Sequence, residues 1–279
     1  MALPVTWSRE GSTLLWRLLD LWRYRELVRN LVVRDLKVRY RNSVLGFVWS
    51  LFNPLLMMLV LTFVFTVLFR TPPNNVPYPL FLLTGLLAWN FCSSGVLSSI
   101  TSVVGNAGLI TKVYFPREVL PISSCLAAAV NFLLALMVLL PLAASFGIFP
   151  GPYIALFPLV LLGQILFVTG IGLLLASINV FFRDTEVIME VVLLAWFFLT
   201  PIFYDITQVW PEWNGLDLPR LVRIVNPMAS FVTTYREILL TNVTPDVLFL
   251  LRTLLTSLVV FVVGYAVFLR LAPRFGDEL

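Results

Sequence analysis

Six long apolar stretches, at 44–69, 80–104, 121–146, 153–180, 187–204 and 247–269, constrain this chain more than any other feature. A bilayer core about 30 Å thick is crossed by about 20 apolar residues in helical form, so each stretch predicts one membrane-spanning helix. The fifth is the shortest and ends in LTPIFYD, where Pro201 and Asp205 mark the exit to a polar surface. With 59% of its 279 residues hydrophobic and 12% charged, the chain reads as an all-α integral membrane protein.

Between the second and third stretches lies GLITKVYFPREVLPISS (108–124), apolar but carrying Lys112, Arg117 and Glu118. A Lys or Arg at mid-bilayer costs about 2.5–3.5 kcal/mol, so burying this set would cancel the gain from many leucines. The segment therefore lies in water or at an interface, and Pro116 and Pro121 allow a short helix to turn there before the third span. Nine Lys or Arg residues precede position 42, with more in the 105–120 loop, the FFRDTE turn and the tail. The positive-inside bias places both termini, the 105–120 loop and the 181–186 turn in the cytoplasm. Apolar runs within residues 1–43 are all punctuated by arginine, so no cleavable signal is expected. The organisation is a cytoplasmic arm (1–43), a six-helix membrane domain (44–271) and a cytoplasmic tail (272–279).

Three segments outside the spans carry pattern. In the arm, Tyr24, Leu27, Val28 and Leu31 recur at helical spacing among cations over 23–41, which predicts an amphipathic helix on the cytoplasmic face. A plain positive-inside anchor is the alternative. Between the fifth and sixth spans, Leu216, Leu218, Leu221, Val222 and Val225 predict one short amphipathic helix. NPMASFVTTYREILL predicts another, with Asn226 as N-cap and Pro227 at the first position, both at or dipping into the outer face. In FFRDTEVIME, Asp184 and Thr185 can cap the fifth span and Glu186 favours its first turn, while Glu190 is an ionisable group at the membrane edge. A capped helix start and a contact with a partner subunit both account for that turn.

The absences narrow the chemistry. There is no histidine and there are two cysteines, both in apolar runs, so His-based metal sites, His general bases and a disulfide framework lose support. Neither lysine near a span, Lys37 after Leu36 or Lys112 after Thr111, follows the glycine of a Gly-Lys-Ser/Thr phosphate loop, so ATP-driven work must come from another polypeptide. No close pair of acidic residues stands where membrane-embedded transfer chemistry would use it. The chain reads as no enzyme, with no cofactor or metal of its own. Aromatic residues remain in quantity, and flat rings stack on sugar faces without fixing one orientation. Each ring, taken singly, is better accounted for by lipid or core packing.

RDLKVRYRNSVLGFVWSLFNPLL (34–56), KVYFPREVLPISS (112–124), FRDTE (182–186), TPIFYD (200–205) and NPMASFVTTYREILL (226–240) occur in an order and spacing specific as a set. Together they resemble the transmembrane subunit of ABC-2 type exporters, in the branch that exports lipid-linked polysaccharides such as O-antigens, teichoic acids and capsules. The resemblance implies a bacterial inner-membrane, multi-pass half-transporter: two copies pair, each docks an ATPase subunit that carries ATP and Mg, and the substrate is a glycan on a polyprenyl diphosphate. By the same resemblance Arg34, Lys37, Arg39 and Arg41 meet the ATPase subunit or lipid phosphates. Lys112, Tyr114, Phe115, Pro116, Arg117 and Glu118, with Arg183 and Asp184, couple to the ATPase subunit. The first, second and fifth spans line the route, which makes Trp49, Phe52, Phe63, Trp89, Trp196, Phe197 and Tyr204 candidate channel aromatics. An ABC-2 exporter of a drug or small lipid is the rival transporter, and a membrane glycosyl- or acyltransferase, active without a partner, the rival from another class.

Overall fold

The computed structural model describes residues 23–40, 48–68, 76–110, 112–113, 115–206 and 218–278, and all regular elements among them are helical. The arm helix α1 spans Arg25–Tyr40. Then come α2 (Val48–Phe63, continued as a π-helix over Val64–Leu68), α3 (Tyr78–Ser102), α4 (Val119–Ser145), α5 (Phe157–Phe181) and α6 (Thr185–Leu199). Next are α7 (Leu218–Val225), α8 (Pro227–Arg236, continued as a π-helix over Glu237–Thr241) and α9 (Val247–Leu271). A 3-10 turn, Ala272–Arg274, leads into the last short helix, α10 (Phe275–Glu278).

Among the described residues, four helical runs, Tyr78–Ser102, Val119–Ser145, Pro152–Phe181 and Val247–Arg274, are long and apolar enough to cross a membrane. Pro79, Pro158 and Pro227 fall in the first turns of α3, α5 and α8, where a missing N–H leaves no ladder bond open. The chain leaves α4 through Gly147 at φ 78°, where the N–H of Ile148 reaches back to Ala143 (3.0 Å) and that of Gly147 to Ala144 (2.9 Å). This left-handed exit closes carbonyls that the helix end would leave open.

The fifth apolar stretch does not stay helical to 204. Helix α6 stops at Leu199 because Pro201 disfavours helical geometry for the residue before it, and Thr200 is extended at φ −94°, ψ 135°. The start of α6 also departs from expectation. No side chain at Asp184 caps the helix, and the Thr185 hydroxyl donates backwards to the Phe182 carbonyl (2.6 Å). Asp184 has helical φ and ψ itself, so its carboxylate is not in the extended geometry that aims a cap at the N–H groups.

Helix α3 is the hub. Its Leu80, Leu82, Ala88, Cys92, Val96 and Ile100 are fully buried, and α2, α4, α5, α6 and α8 all pack on it. The most extensive pairing is α5 with α9. In lipid, helices gain little from hiding apolar surface from one another, so close backbone approach supplies the packing. It occurs at a glycine crossing, where a Cβ on Gly264 would lie 2.0 Å from the Gly170 carbonyl oxygen and one on Gly170 would lie 2.6 Å from the Phe261 backbone.

The two helices between the fifth and sixth apolar stretches differ sharply. None of α7 is buried, whereas in α8 Met228, Ala229, Phe231, Val232 and Tyr235 are buried against α3, α5 and α9. Helix α8 thus belongs to the bundle core. By contrast, only Thr185 and Leu193 of α6 are buried, and α2 leaves Trp49, Phe52, Leu59, Val60 and Phe63 exposed. These two helices present bare apolar faces.

Candidate functional site

At the Tyr78 end of α3 the bundle gathers rings from four segments. Trp89 meets Trp196 edge-on at 5.8 Å and Phe197 at 5.8 Å, and Phe197 in turn meets Phe198 (5.3 Å) and Phe203 (5.9 Å). Phe65 stacks on Phe203 at 5.2 Å, and Tyr204 lies edge-on to Phe203 at 5.2 Å. Offset and edge-to-face pairs of this kind each add about 0.5–1.5 kcal/mol beyond the area they bury. Of the candidate channel aromatics, Trp89, Trp196 and Phe197 are thus brought together, and Tyr204 joins them through Phe203. Trp49 and Phe52 pair with each other (5.9 Å) on the exposed face of α2, and Phe63 is 59% exposed. Phe65 and Phe203 complete the array, although sequence reasoning left them out of the site; their signal was only membership of aromatic-rich stretches.

The array is held by polar side chains that repair the unwound backbone after α6. Non-helical backbone at membrane depth must be satisfied from within the protein. Here the Leu199 carbonyl accepts from Asn226 Nδ2 (3.3 Å), that of Pro201 from Arg236 Nη1 (2.7 Å), that of Ile202 from Arg236 Nη2 (2.6 Å) and that of Phe203 from the Tyr78 hydroxyl (2.6 Å). Arg236 also donates through Nε and Nη2 to the Phe81 carbonyl (3.2 and 3.1 Å), and its guanidinium lies 3.4 Å from the Phe81 ring centroid. Gly85 makes room for it, since a Cβ there would stand 2.8 Å from Nη2. Deeper in, the fully buried Gln164 of α5 donates to the Ala88 carbonyl (2.8 Å) and accepts from the Tyr235 hydroxyl (2.9 Å). Beside this cluster burial raises the Glu237 carboxyl above its ordinary range, opposed by the charge of Arg223.

Asn226 is the smallest of these hubs and the only one whose local role was expected. Its Oδ1 accepts from the N–H of Met228 (3.1 Å) and of Ala229 (3.3 Å), as an N-cap should, and also from Trp196 Nε1 (2.9 Å). Its Nδ2 donates to the Thr200 hydroxyl at 3.0 Å. Asn226→Ala should cost about 2 kcal/mol or more, because the cap and a buried indole N–H lose their partner together. Asn226→Asp should cost less, since the acceptor survives. Thermal unfolding of the purified protein, followed by tryptophan emission, checks the order; an alanine variant as stable as the aspartate variant would refute it.

At the other end of α3 a second junction forms. The expected arm stripe is used: Leu31 is buried, with Tyr24, Leu27 and Val28 around it, against Phe115, Val119 and Leu120. Asp35, one turn beyond Leu31, accepts from the Ser124 hydroxyl (3.4 Å), and Arg34 pairs with Asp35 (2.8 Å) and reaches Asn106 Oδ1 (2.8 Å). Lys37 is exposed. Arg41 and Tyr114 lie outside the described residues, as does the side chain of Arg39.

Within 112–118 the residues divide. Lys112 and Val113 are exposed, Pro116 is partly buried, and Phe115 and Glu118 are each 7% exposed. The Phe115 ring is covered by the apolar stripe of α1. Arg117 donates to the Ala272 carbonyl, and Glu118 accepts from the Tyr265 hydroxyl (3.3 Å). Arg183 and Asp184 are exposed in the turn before α6. Among the described residues no three His, Cys, Asp or Glu side chains gather as metal ligands would.

Residues 26–240, from the first turn of α1 to the π-helical turn after α8, match the ABC-2 type transporter membrane family. The chain belongs to that family. Among similar proteins, this ABC-2 chain is 36% identical over 261 residues to the O-antigen export system permease protein RfbA of Myxococcus xanthus, covering 93% of this chain and 98% of the relative. It is 32% identical over 247 residues to the protein of the same name from Klebsiella pneumoniae, covering 88% and 92%. The polysialic acid transport protein KpsM of Escherichia coli is 24% identical over 247 residues, covering 86% and 92%. In this ABC-2 chain the aromatic array runs from Tyr78 at the start of α3 to Trp89 near its middle, and the start of α4, which follows the 112–118 segment, is bonded to Ser99 near its other end.

Proposed function

We propose that this chain is the membrane-spanning permease subunit of an ATP-driven exporter that carries a polysaccharide on a polyprenyl diphosphate from the cytoplasm across the bacterial inner membrane. The observation that carries the reading is the end-to-end likeness to O-antigen export permeases, 36% identical over 93% of this chain. All six apolar stretches cross the membrane, with both termini cytoplasmic. Two copies pair through the bare faces of α2 and α6; the exposed Glu190 on α6 supports this, because an ionisable side chain within an apolar helix calls for protein or water beside it. Each copy docks a separate ATPase subunit that binds ATP and Mg.

On this reading Arg34, Lys37, Arg39 and Arg41 draw the diphosphate headgroup and the ATPase subunit to the membrane surface by charge. Lys112, Val113, Arg183 and Asp184 form the docking contact, being exposed, while Phe115, Pro116, Arg117 and Glu118 pass motion inward from the buried side. The glycan then leaves along the rings of Trp196, Phe197, Phe203 and Tyr204, which the buried Trp89 backs from within, with Trp49, Phe52 and Phe63 turned toward the second copy. Stacking faces retain a polymer weakly at many points, which suits passage more than capture.

The test is ATP hydrolysis by the chain reconstituted with its ATPase subunit. Lipid-linked glycan should stimulate it and hydrophobic drugs should not; the reverse result would make the chain an exporter of drugs or small lipids, and transferase activity from this polypeptide alone would end the transporter reading. Within the same complex, Lys112→Glu with Val113→Asp should reduce co-purification of the ATPase subunit by about tenfold, as loss of a central contact worth roughly 1.4 kcal/mol does. Undiminished co-purification would remove the docking role of this segment.

A further inference from the structure

We infer that the C-terminal turn is a clip that fastens the 112–118 segment to α9, so that a push received at Lys112 and Val113 moves α9, and α5 with it, as well as α4. The inference rests on the proposed docking of 112–118 to an ATPase subunit.

Two consecutive residues of the segment grip α9 at two heights. Glu118 accepts a hydrogen bond from the Tyr265 hydroxyl (3.3 Å), and Arg117 donates to the carbonyl of Ala272, the residue that closes α9. The two grip points are about two helical turns apart, so the segment cannot swivel about either of them alone. Phe275 is fully buried, 5.3 Å from the Phe268 ring, 6.1 Å from the Phe181 ring and 5.9 Å beneath the Arg117 guanidinium. The tail ring therefore touches α9, α5 and the segment at once.

The onward path is equally stiff. Tyr265, which holds Glu118, follows Gly264, whose backbone is in direct contact with the backbone of Gly170 on α5. A crossing without side chains between the backbones has little slack, so displacement of α9 at Tyr265 carries α5 along as a rigid-body shift. Through Gln164 and Tyr235, α5 is bonded in turn to α3 and α8 at the aromatic end.

The experiment uses the complete complex with its ATPase subunit. Phe275→Ala should leave co-purification of that subunit intact and ATP hydrolysis within about twofold, while polysaccharide reaching the cell surface at equal membrane abundance falls about tenfold, the size of effect a broken coupling contact produces. A second variant pair, Arg117→Cys with Ala272→Cys, should be uncoupled in the same way and should regain export when a short bismaleimide joins the two thiols. Normal export from Phe275→Ala, or failure of the cross-link to restore it, would overturn the clip. If Lys112→Glu with Val113→Asp leaves co-purification unchanged, the docking reading has failed instead. If Phe275→Ala does not accumulate in the membrane, the cross-linked pair decides.

Discussion

Arg236→Met is expected to prevent accumulation of the folded protein, or to lower its thermal stability more than any other single change on α8. The methionine fills most of the space but donates nothing, so the carbonyls of Phe81, Pro201 and Ile202 are left without the partners that Arg236 provides. A buried polar group left unsatisfied costs about 1–3 kcal/mol, and the Pro201 and Ile202 carbonyls, which have no helical ladder bond to fall back on as Phe81 has, together take a large share of the stability of a typical domain, about 5–15 kcal/mol. Removing a buried cation relieves a desolvation penalty, which works in the other direction. Here the carbonyls decide the sign, because the mutation removes the donors and leaves the acceptors in place. Arg236→Lys keeps the charge but cannot fork to three carbonyls or lie flat on the Phe81 ring, so it should fall between the two. Membrane abundance and thermal unfolding in detergent measure the series. A methionine variant as stable as the parent would show that the unwound backbone after α6 is satisfied by other means.

Gly264→Ala is expected to separate α9 from α5 and cost about 3 kcal/mol or more, at the upper end of what an overpacked core loses. The added methyl would meet the Gly170 carbonyl oxygen at 2.0 Å and its Cα at 3.1 Å, and backbone atoms cannot rotate away. The helices must move apart along the most extensive pairing in the bundle. Gly163→Ala is the control: its Cβ would meet the tip of Leu254 at 2.5 Å, and a leucine end can change rotamer. Limited proteolysis and thermal unfolding should rank Gly264→Ala well below Gly163→Ala. Equal behaviour would mean that the crossing is looser than its geometry.

Much of the helical plan was legible because its signals are local. Runs of apolar residues fix where helices can lie, and Pro227 after Asn226 marks a helix start whose cap bonds are both made. The stripe of Tyr24, Leu27, Val28 and Leu31 foretold which face of α1 would be covered. The membership of the ABC-2 family was legible for a related reason, since its segments keep their order along the chain.

What covers each face was not legible. Phe115 sits in a charged loop and reads as a residue meant for a partner, yet it packs on Leu31, more than eighty positions earlier. Arg236 reads as one more cation of a loop, and only the approach of Phe81, Pro201 and Ile202 makes it the donor that holds an unwound end. Phe275 reads as part of a loose tail and becomes a buried anchor under Arg117. By itself the sequence determined which segments are helical and apolar, because periodicity, prolines and caps act within a few residues. The tertiary structure alone decided which carbonyls meet which side chains and which glycines touch. Those outcomes depend on distances between residues far apart in the chain, and where the long helices are apolar nearly all round no local pattern encodes them.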